Sequence, residues 1–226
     1  MWRSAVQDCG FAIIPEVLPR SEVDHVLEAL GSESLERTKA GIRHALTHAS
    51  VARFARHPRL LEMAQCILGR SAFPFRATLF DKSSIANWLV AWHQDTALPL
   101  RARRESPGWG PWSVKKGVIY AHAPASALST ILALRVHLDD SNSENGPLRV
   151  LPGTHGLGVL TDEKLHELST TVSAVECLVP EGRVLVMRPL LVHSSSKSEI
   201  RAPRRVLHIE YAASSAVGDG LELTTA

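Results

Sequence analysis

Cysteine is scarce in this chain: Cys9, Cys66 and Cys177 are the only three in 226 residues, and no two form a Cys-x-x-Cys pair. That spacing excludes a zinc ribbon and fits reduced thiols. Long hydrophobic runs are also missing. Nothing is long enough to span a bilayer, and Met1-Trp2-Arg3-Ser4 does not open a signal peptide, so a soluble cytoplasmic protein is expected. Charge of one sign is not in excess either, with 25 Lys and Arg against 23 Asp and Glu. Bulk charge therefore gives no reason to expect nucleic acid as a partner. The basic run Arg101-Ala102-Arg103-Arg104 is short, lacks interleaved aromatics and reads as a solvated loop. There is no internal repeat and no low-complexity segment. What is present is 45% hydrophobic residues, enough at this length for one substantial core, so residues 1–226 are read as a single domain of open oligomeric state.

Residues 1–72 read as largely helical. Gly10 to Pro15 is a short apolar strand, after which Ser21 opens a helix carrying Val23, Val26, Leu27 and Leu30 at helical spacing, with Gly31 as its stop. Ser32 to Gly41 has no clear period and reads as a mobile loop. Pro58 starts a second helix, with Leu60, Leu61, Ala64, Ile67 and Leu68 on one face and Gly69 at its end. Residues 73–213 change texture. Phe75–Phe80, Trp88–Trp92, Thr130–Leu138, Leu148–Leu151, Val172–Leu178, Arg183–Met187 and Val206–Tyr211 read as strands between turns such as Asn145-Gly146-Pro147 and Pro152-Gly153. Thr161–Leu168 is the one helix candidate among them. The fold class is mainly β with flanking helices, a double-stranded β-helix or jelly roll whose mouth can gather residues from distant strands. Glu105–Pro124 reads as a long loop and candidate active-site lid.

The pattern His-x-Asp/Glu occurs three times, at His93-Gln94-Asp95, His137-Leu138-Asp139 and His208-Ile209-Glu210. The third has no histidine after it. The second opens directly into the turn Ser141 to Pro147. Only the first leaves room for several strands before a further histidine, His193, with Arg204 following it. Two imidazoles and a carboxylate can hold one face of an Fe(II) ion and leave the other face for a cosubstrate and O₂. A trailing arginine suits the far carboxylate of 2-oxoglutarate, since its planar fork binds carboxylates in two places. The bland reading stays open at this point: His93 at a strand end, hydrogen-bonded to a nearby Asp.

The motifs coincide with those of a known family. Gly10 to Pro15, Asn87-Trp88, Trp92 to Asp95, Leu138 to Asp140, Glu144 to His155, Pro189 to Ser195, Arg204 to His208 and Glu210-Tyr211 together resemble the phytanoyl-CoA dioxygenase family of Fe(II)/2-oxoglutarate oxygenases, in the family's order and over nearly the whole chain. The resemblance implies His93, Asp95 and His193 as metal ligands and catalytic centre, and Arg204 and Ser195 as partners of the cosubstrate's distal carboxylate. Because neighbours on a strand face opposite ways, Arg204 rather than Arg205 is expected to point inward. With Asp95 present, the resemblance favours oxygen insertion over halogenation. It implies hydroxylation of a small molecule with release of succinate and CO₂. Epimerisation, desaturation or ring closure at the same iron is the alternative within that chemistry. The intact triad and the correctly spaced arginine argue against a non-catalytic ligand-binding jelly roll, and a cupin-type hydrolase or isomerase would have no use for Arg204. The acyl-CoA substrate of the family's namesake is not carried over, because fold and cosubstrate do not set the prime substrate.

Further residues receive roles on position alone. Arg76 and Thr78 share a strand face that lines the 2-oxoglutarate pocket in relatives, and Arg135 shares a face with Ile131, Ala133 and His137 that is either outward or turned to the cosubstrate. Lys82 and Asn87 flank the loop before His93 and are substrate or cosubstrate candidates, and Trp109 and Trp112 in the lid are substrate candidates. Trp88 and Trp92 are assigned to core packing, His155 to a structural turn, and His44, His48, His57, His122 and His166 to surface or lid.

Overall fold

The computed structural model describes residues 1–32, 41–82 and 87–226, so most of the Ser32–Gly41 loop expectation lies outside the described residues. Its frame is a pair of antiparallel sheets. One has five strands in the order β1 (Phe11–Ile14), β10 (Val184–Met187), β7 (Ile131–His137), β12 (Arg204–Ala212) and β2 (Phe73–Lys82). The other has four, in the order β3 (Val90–His93), β11 (His193–Ser195), β8 (Leu148–Val150) and β9 (Val175–Cys177). This is the double-stranded β-helix.

Strand parity decides what each face of the five-stranded sheet does. Ala77 and Leu79 of β2, Leu132, Leu134 and Val136 of β7, Val184 and Val186 of β10, and Leu207, Ile209 and Tyr211 of β12 point outward. There they meet Val23, Val26, Leu60, Met63 and Ala64 of α2 (Arg20–Ser32) and α4 (Pro58–Leu68), with Val51 and Phe54 of α3 (Ala49–Phe54). The buried Tyr211 hydroxyl donates to Ala55 O at 2.7 Å and ties this helical layer to the sheet. At one end of the opposite face, Ala133, Leu185 and Met187 pack on Leu148, Val150, Cys177 and Val179 and close the sandwich. At the other end the inward row is polar, and the site lies there.

Several helix limits follow local chemistry. Pro58 sits in the first turn of α4 and Gly69 (φ 96°) ends it, while the Thr161 hydroxyl caps α6 (Asp162–Thr171) by accepting from Lys164 N–H at 3.3 Å. α2 begins at Arg20, one residue before the expected cap, and runs through Gly31 to Ser32, because α-helix tolerates a glycine at moderate cost. A short α1 (Trp2–Asp8) precedes β1, and His155 holds it through its ring nitrogen and Gln7 O, 3.0 Å apart.

The stretch expected to be a long lid is instead an ordered hairpin. β5 (Trp112–Lys115) and β6 (Val118–His122) join β4 (Ala97–Leu100) in a three-stranded sheet, followed by α5 (Ala125–Leu128). Lys116 and Gly117 both have positive φ (49° and 79°), the tight two-residue turn that matches strand twist. Trp109 is buried at 7% exposure with Leu98, Leu100, Leu190 and Leu223, and its indole N–H donates to Asp219 at 3.0 Å. Trp112 packs on the same cluster under Arg103. Trp109 is thus a core residue, and Trp112 is partly buried against that core. No helix of the described residues is long and apolar enough to cross a membrane.

Candidate metal centre and its two cavities

β3 and β11 are antiparallel neighbours, and their register makes His93 and His193 cross-strand partners, with ring centroids 4.2 Å apart. After β3 the chain leaves its sheet for the one that holds β4, and Gln94 pins the connection. Its buried side-chain amide donates to Gly158 O and Leu190 O, and its carbonyl accepts from Leu160 N–H. Asp95 is held by its own N–H on Pro189 O at 2.9 Å. The carboxylate lies 3.7 Å from His93 Nε2 and 3.5 Å from His193 Nε2. Among the described residues this is the one group of three or more metal-ligating side chains, with donor atoms all within 4.8 Å of one another.

The imidazoles are oriented for that arrangement. His93 Nδ1 lies 2.9 Å from Ala91 O, and His193 Nδ1 lies 2.8 Å from Leu191 O. A carbonyl can only accept, so Nδ1–H is the donor in each contact, and each Nε2 faces Asp95. Burial, against the pull of Asp95, lowers the His193 pKa to about 4, so its ring is neutral at physiological pH. Burial works against ionisation of Asp95, yet His193, His93, His208 and Arg76 outweigh it and hold the carboxyl below its usual range.

Neighbouring turns brace the distal ligand. Thr154 Oγ1 donates to Leu151 O and accepts from Val192 N–H at 3.0 Å, beside His193. The Asn145-Gly146-Pro147 turn packs so tightly that a Cβ on Gly146 (φ 66°) would stand 2.3 Å from Ser196 O. Gly146 O in turn accepts from Ser195 Oγ at 2.9 Å.

Asp95 borders two cavities. The inner one, about 100 Å³, is lined by Lys82, Arg135, His193, Ser195 and Arg204 among others. Arg204 Nε and Nη1 and Arg135 Nε are buried there without a hydrogen-bond partner. Burial, followed by the charge of Arg135, brings the Arg204 pKa down to about 9. The Lys82 ammonium donates to Ser195 Oγ at 2.8 Å and to Ser196 O, and burial followed by Arg204 and Arg135 lowers its pKa to about 7. Ser195 thus spends its proton on Gly146 and steers Lys82, rather than offering a hydroxyl hydrogen to the pocket. Arg205 points the other way and grips Asp139 through two nitrogens at 2.8 and 2.7 Å. That pairing takes Asp139 out of any His137-centred site.

The outer cavity, about 560 Å³, opens on the other side of the triad. Arg76 and Thr78 line it, not the inner pocket, so they stand apart from Arg204 and Ser195, with which the resemblance grouped them. Arg76 binds both oxygens of buried Glu210 and donates to Ala97 O, and although burial opposes its charge, Glu210 outweighs this and raises its pKa. Arg135 faces inward, towards the inner pocket, with Nη1 3.2 Å from His208 Nδ1. Asn87 lies outside both cavities, where its amide pairs with Ser198 N–H and O and clamps the loop beyond β11. Trp88 lines both cavities instead of the core, and Lys82 stacks on it at 5.7 Å.

Sequence reasoning missed several residues of these walls. His208, dismissed as the start of a third motif, has Nε2 4.0 Å from Asp95, and His44, Tyr120 and His122 line the outer cavity. The β-branched and aromatic run Val118-Ile119-Tyr120 after Lys116-Gly117 was a signal for the strand carrying two of them. A larger space, about 680 Å³, lies between α2, α3 and α4 and contains none of the metal-ligating residues.

A jelly roll with two histidines and a carboxylate at its mouth belongs to the cupin-like class. The sequence model of the phytanoyl-CoA dioxygenase (PhyH) family matches residues 6–206. The chain belongs to that family. It is 25% identical over 186 residues to the L-proline trans-4-hydroxylase of Streptomyces griseoviridis, the alignment covering 71% of this chain and 62% of that protein. Similar folds include EctD from S. alaskensis with 2-oxoglutarate and 5-hydroxyectoine, with a TM-score of 0.71, 21% identity and coverage of 94% of this chain and 75% of EctD. The epimerase SnoN from nogalamycin biosynthesis, in complex with Fe³⁺, α-ketoglutarate and nogalamycin RO, also has a TM-score of 0.71 and 21% identity, over 96% of this chain and 86% of SnoN.

Proposed function

We propose that this protein is an Fe(II)- and 2-oxoglutarate-dependent dioxygenase that hydroxylates an unactivated C–H bond of a small molecule. The observation that carries the reading is the placement of a three-ligand cluster beside a pocket of unpartnered buried cations. His93, Asp95 and His193 suit the metal, because their donor atoms converge and leave one side open. Arg204 and Arg135 suit the cosubstrate, since buried guanidinium N–H groups without partners are costly until an anion accepts from them. Bound together, iron and 2-oxoglutarate supply an O₂-derived oxidant, with succinate and CO₂ as by-products. The chain's part is to orient and to exclude water: Arg204 with Lys82 anchors the distal carboxylate, and Trp88 and Phe80 wall the junction between the two cavities.

The same centre also serves for epimerisation, desaturation or ring closure, and the equal TM-scores to EctD and SnoN give a specific reason to test for it. Anaerobic Fe(II) titration followed by O₂-dependent succinate release against a metabolite library tests the reading. Product mass then separates the outcomes: one oxygen gained, no change, or two hydrogens lost. Wild-type protein that neither binds Fe(II) nor consumes 2-oxoglutarate, where His193→Ala behaves the same, would leave a non-catalytic ligand-binding jelly roll.

A further inference from the structure

The outer cavity has a charge pattern that the metal centre does not explain. Two carboxylates line it, Asp95 and Glu210. Asp95 is one of the three converging ligands, and both Glu210 oxygens are taken by Arg76. A basic substrate would therefore find no free carboxylate among the described residues of the wall. Cations, by contrast, are left over. Among the described residues, exposed Arg43 makes no hydrogen bond or ion pair, and Lys115 makes only a ring contact, 5.1 Å above Tyr120.

Two separate parts of the fold bring them to one rim. Arg43 is placed by the β-bridge of Ile42 with Leu79 on β2, and Lys115 by the tight turn of the β5–β6 hairpin. Between them His44 stacks on Tyr120 with its Nε2 2.9 Å from the phenol oxygen, and it does so in a left-handed backbone conformation (φ 57°) that a β-carbon disfavours. The cations act on one another. Burial first, then Arg43 and Arg76, lower the Lys115 pKa, while burial, Lys116, Arg43 and Arg76 lower that of His44. Among the described residues no carboxylate offsets this at either group. The basic run at 101–104 does not serve this rim, since Arg101 pairs with Glu222 and Arg103 with Glu105 at the surface.

We propose that the prime substrate is an organic anion whose carboxylate or phosphate is held at the mouth of the outer cavity by Arg43 and Lys115, with its uncharged body along Trp88, Leu89 and Tyr120 towards the metal centre. This rests on the oxygenase reading, and it adds the substrate class. Unpaired cations focused in a concave polar wall raise the local concentration of anions and repel amines, so the rim selects as well as binds.

The test uses the full chain with Zn(II) in place of iron and saturating 2-oxoglutarate, so that the inner pocket is filled. Phenylacetate, phenyl phosphate, benzyl alcohol and benzylamine are the probes, titrated by ligand-observed NMR at low and high salt. At least one anion should bind tenfold or more tighter than the alcohol and the amine and weaken with salt, and the carboxylate and phosphate arms show which oxyanion is preferred. Arg43→Gln/Lys115→Gln should erase that preference, and Arg43→Lys/Lys115→Arg should keep it, which separates loss of charge from loss of fold. Equal binding of all four probes, or a preference that survives in the double Gln variant, overturns the proposal. If the wild-type chain takes up neither Zn(II) nor 2-oxoglutarate, the oxygenase reading fails. The same titration is then run on metal-free Arg204→Ala protein, where anions are kept from the inner pocket, and its result decides the rim on its own.

Discussion

The two ends of β2 treat buried charge in opposite ways. At Arg76 the guanidinium is neutralised by Glu210 from the paired strand, a closed ion pair that belongs to the wall. At Lys82, the register partner of Arg204, three cations share one small pocket, and the one carboxylate among its described lining residues is Asp95, itself one of the three converging metal-ligating side chains. A compensated buried charge is a structural part. An uncompensated cluster is a standing cost that the fold tolerates for the sake of a ligand.

That contrast can be broken most sharply by removing one partner on each side. Glu210→Ala should cost about 3–5 kcal/mol in chemical denaturation, because it strands the buried Arg76 charge. Replacing both, Arg76→Met with Glu210→Leu, should recover most of this. If Glu210→Ala unfolds no more readily than wild type, the pair is not structural.

Arg204→Ala should do the reverse. It removes an unpartnered buried cation, so stability should hold or rise, while 2-oxoglutarate affinity should fall by about 1.5–3 kcal/mol, the range for hydrogen bonds to charged groups. Isothermal calorimetry measures the loss. Arg205→Ala should leave that affinity nearly intact and cost at most about 1 kcal/mol of stability, since its pair with Asp139 is partly solvent-exposed. A larger affinity loss at Arg205 would refute the assignment.

Proton linkage sharpens the same difference. Burial, followed by Arg204 and Arg135, brings the Lys82 pKa down from 10.5 to about 7, so without an anion beside it the neutral form gains weight as pH rises through 7. A dicarboxylate favours the charged form. Binding 2-oxoglutarate at pH 8 should therefore take up a proton, seen as a binding enthalpy that varies with the buffer's ionisation heat and loses that dependence in Lys82→Met. For stability the sign is that of any lowered pKa: the Lys82 contribution is complete above 10.5 and is lost as pH falls through 7.

The smallest effect concerns His137, buried between the sheets with neither ring nitrogen hydrogen-bonded. Burial, with Arg135 and Arg204, holds its pKa well below 6.5. The unfolded chain takes up a proton below 6.5 that the folded ring refuses, so stability should drop as pH falls from there, and His137→Gln should flatten that slope in thermal melts.

Much of the frame was legible because period and punctuation are local. Alternation along Ile131 to His137 separated Leu132, Leu134 and Val136 from Ala133, Arg135 and His137, although not which face was inside. Parity likewise pointed Arg204 and Arg205 to opposite sides. The hairpin at Trp112 to His122 escaped because its strands are short and the glycines and proline around them read as loop. Arg76 and Lys82 share a strand face, yet they serve different cavities. Only the position of Asp95 between them, and of Glu210 opposite one of them, makes that distinction.

By itself, then, the sequence determined the strand and helix texture, the family, and the residue types suited to a metal and a dicarboxylate, since all of these are written in spacing along one chain. Tertiary structure alone decided which cations are answered and which are not. It set Glu210 against Arg76, left Arg204 and Lys82 facing each other, and brought Arg43 and Lys115 from distant segments to one rim. The physical reason is that electrostatic compensation depends on distance and burial between residues far apart in the chain, and no local pattern records either.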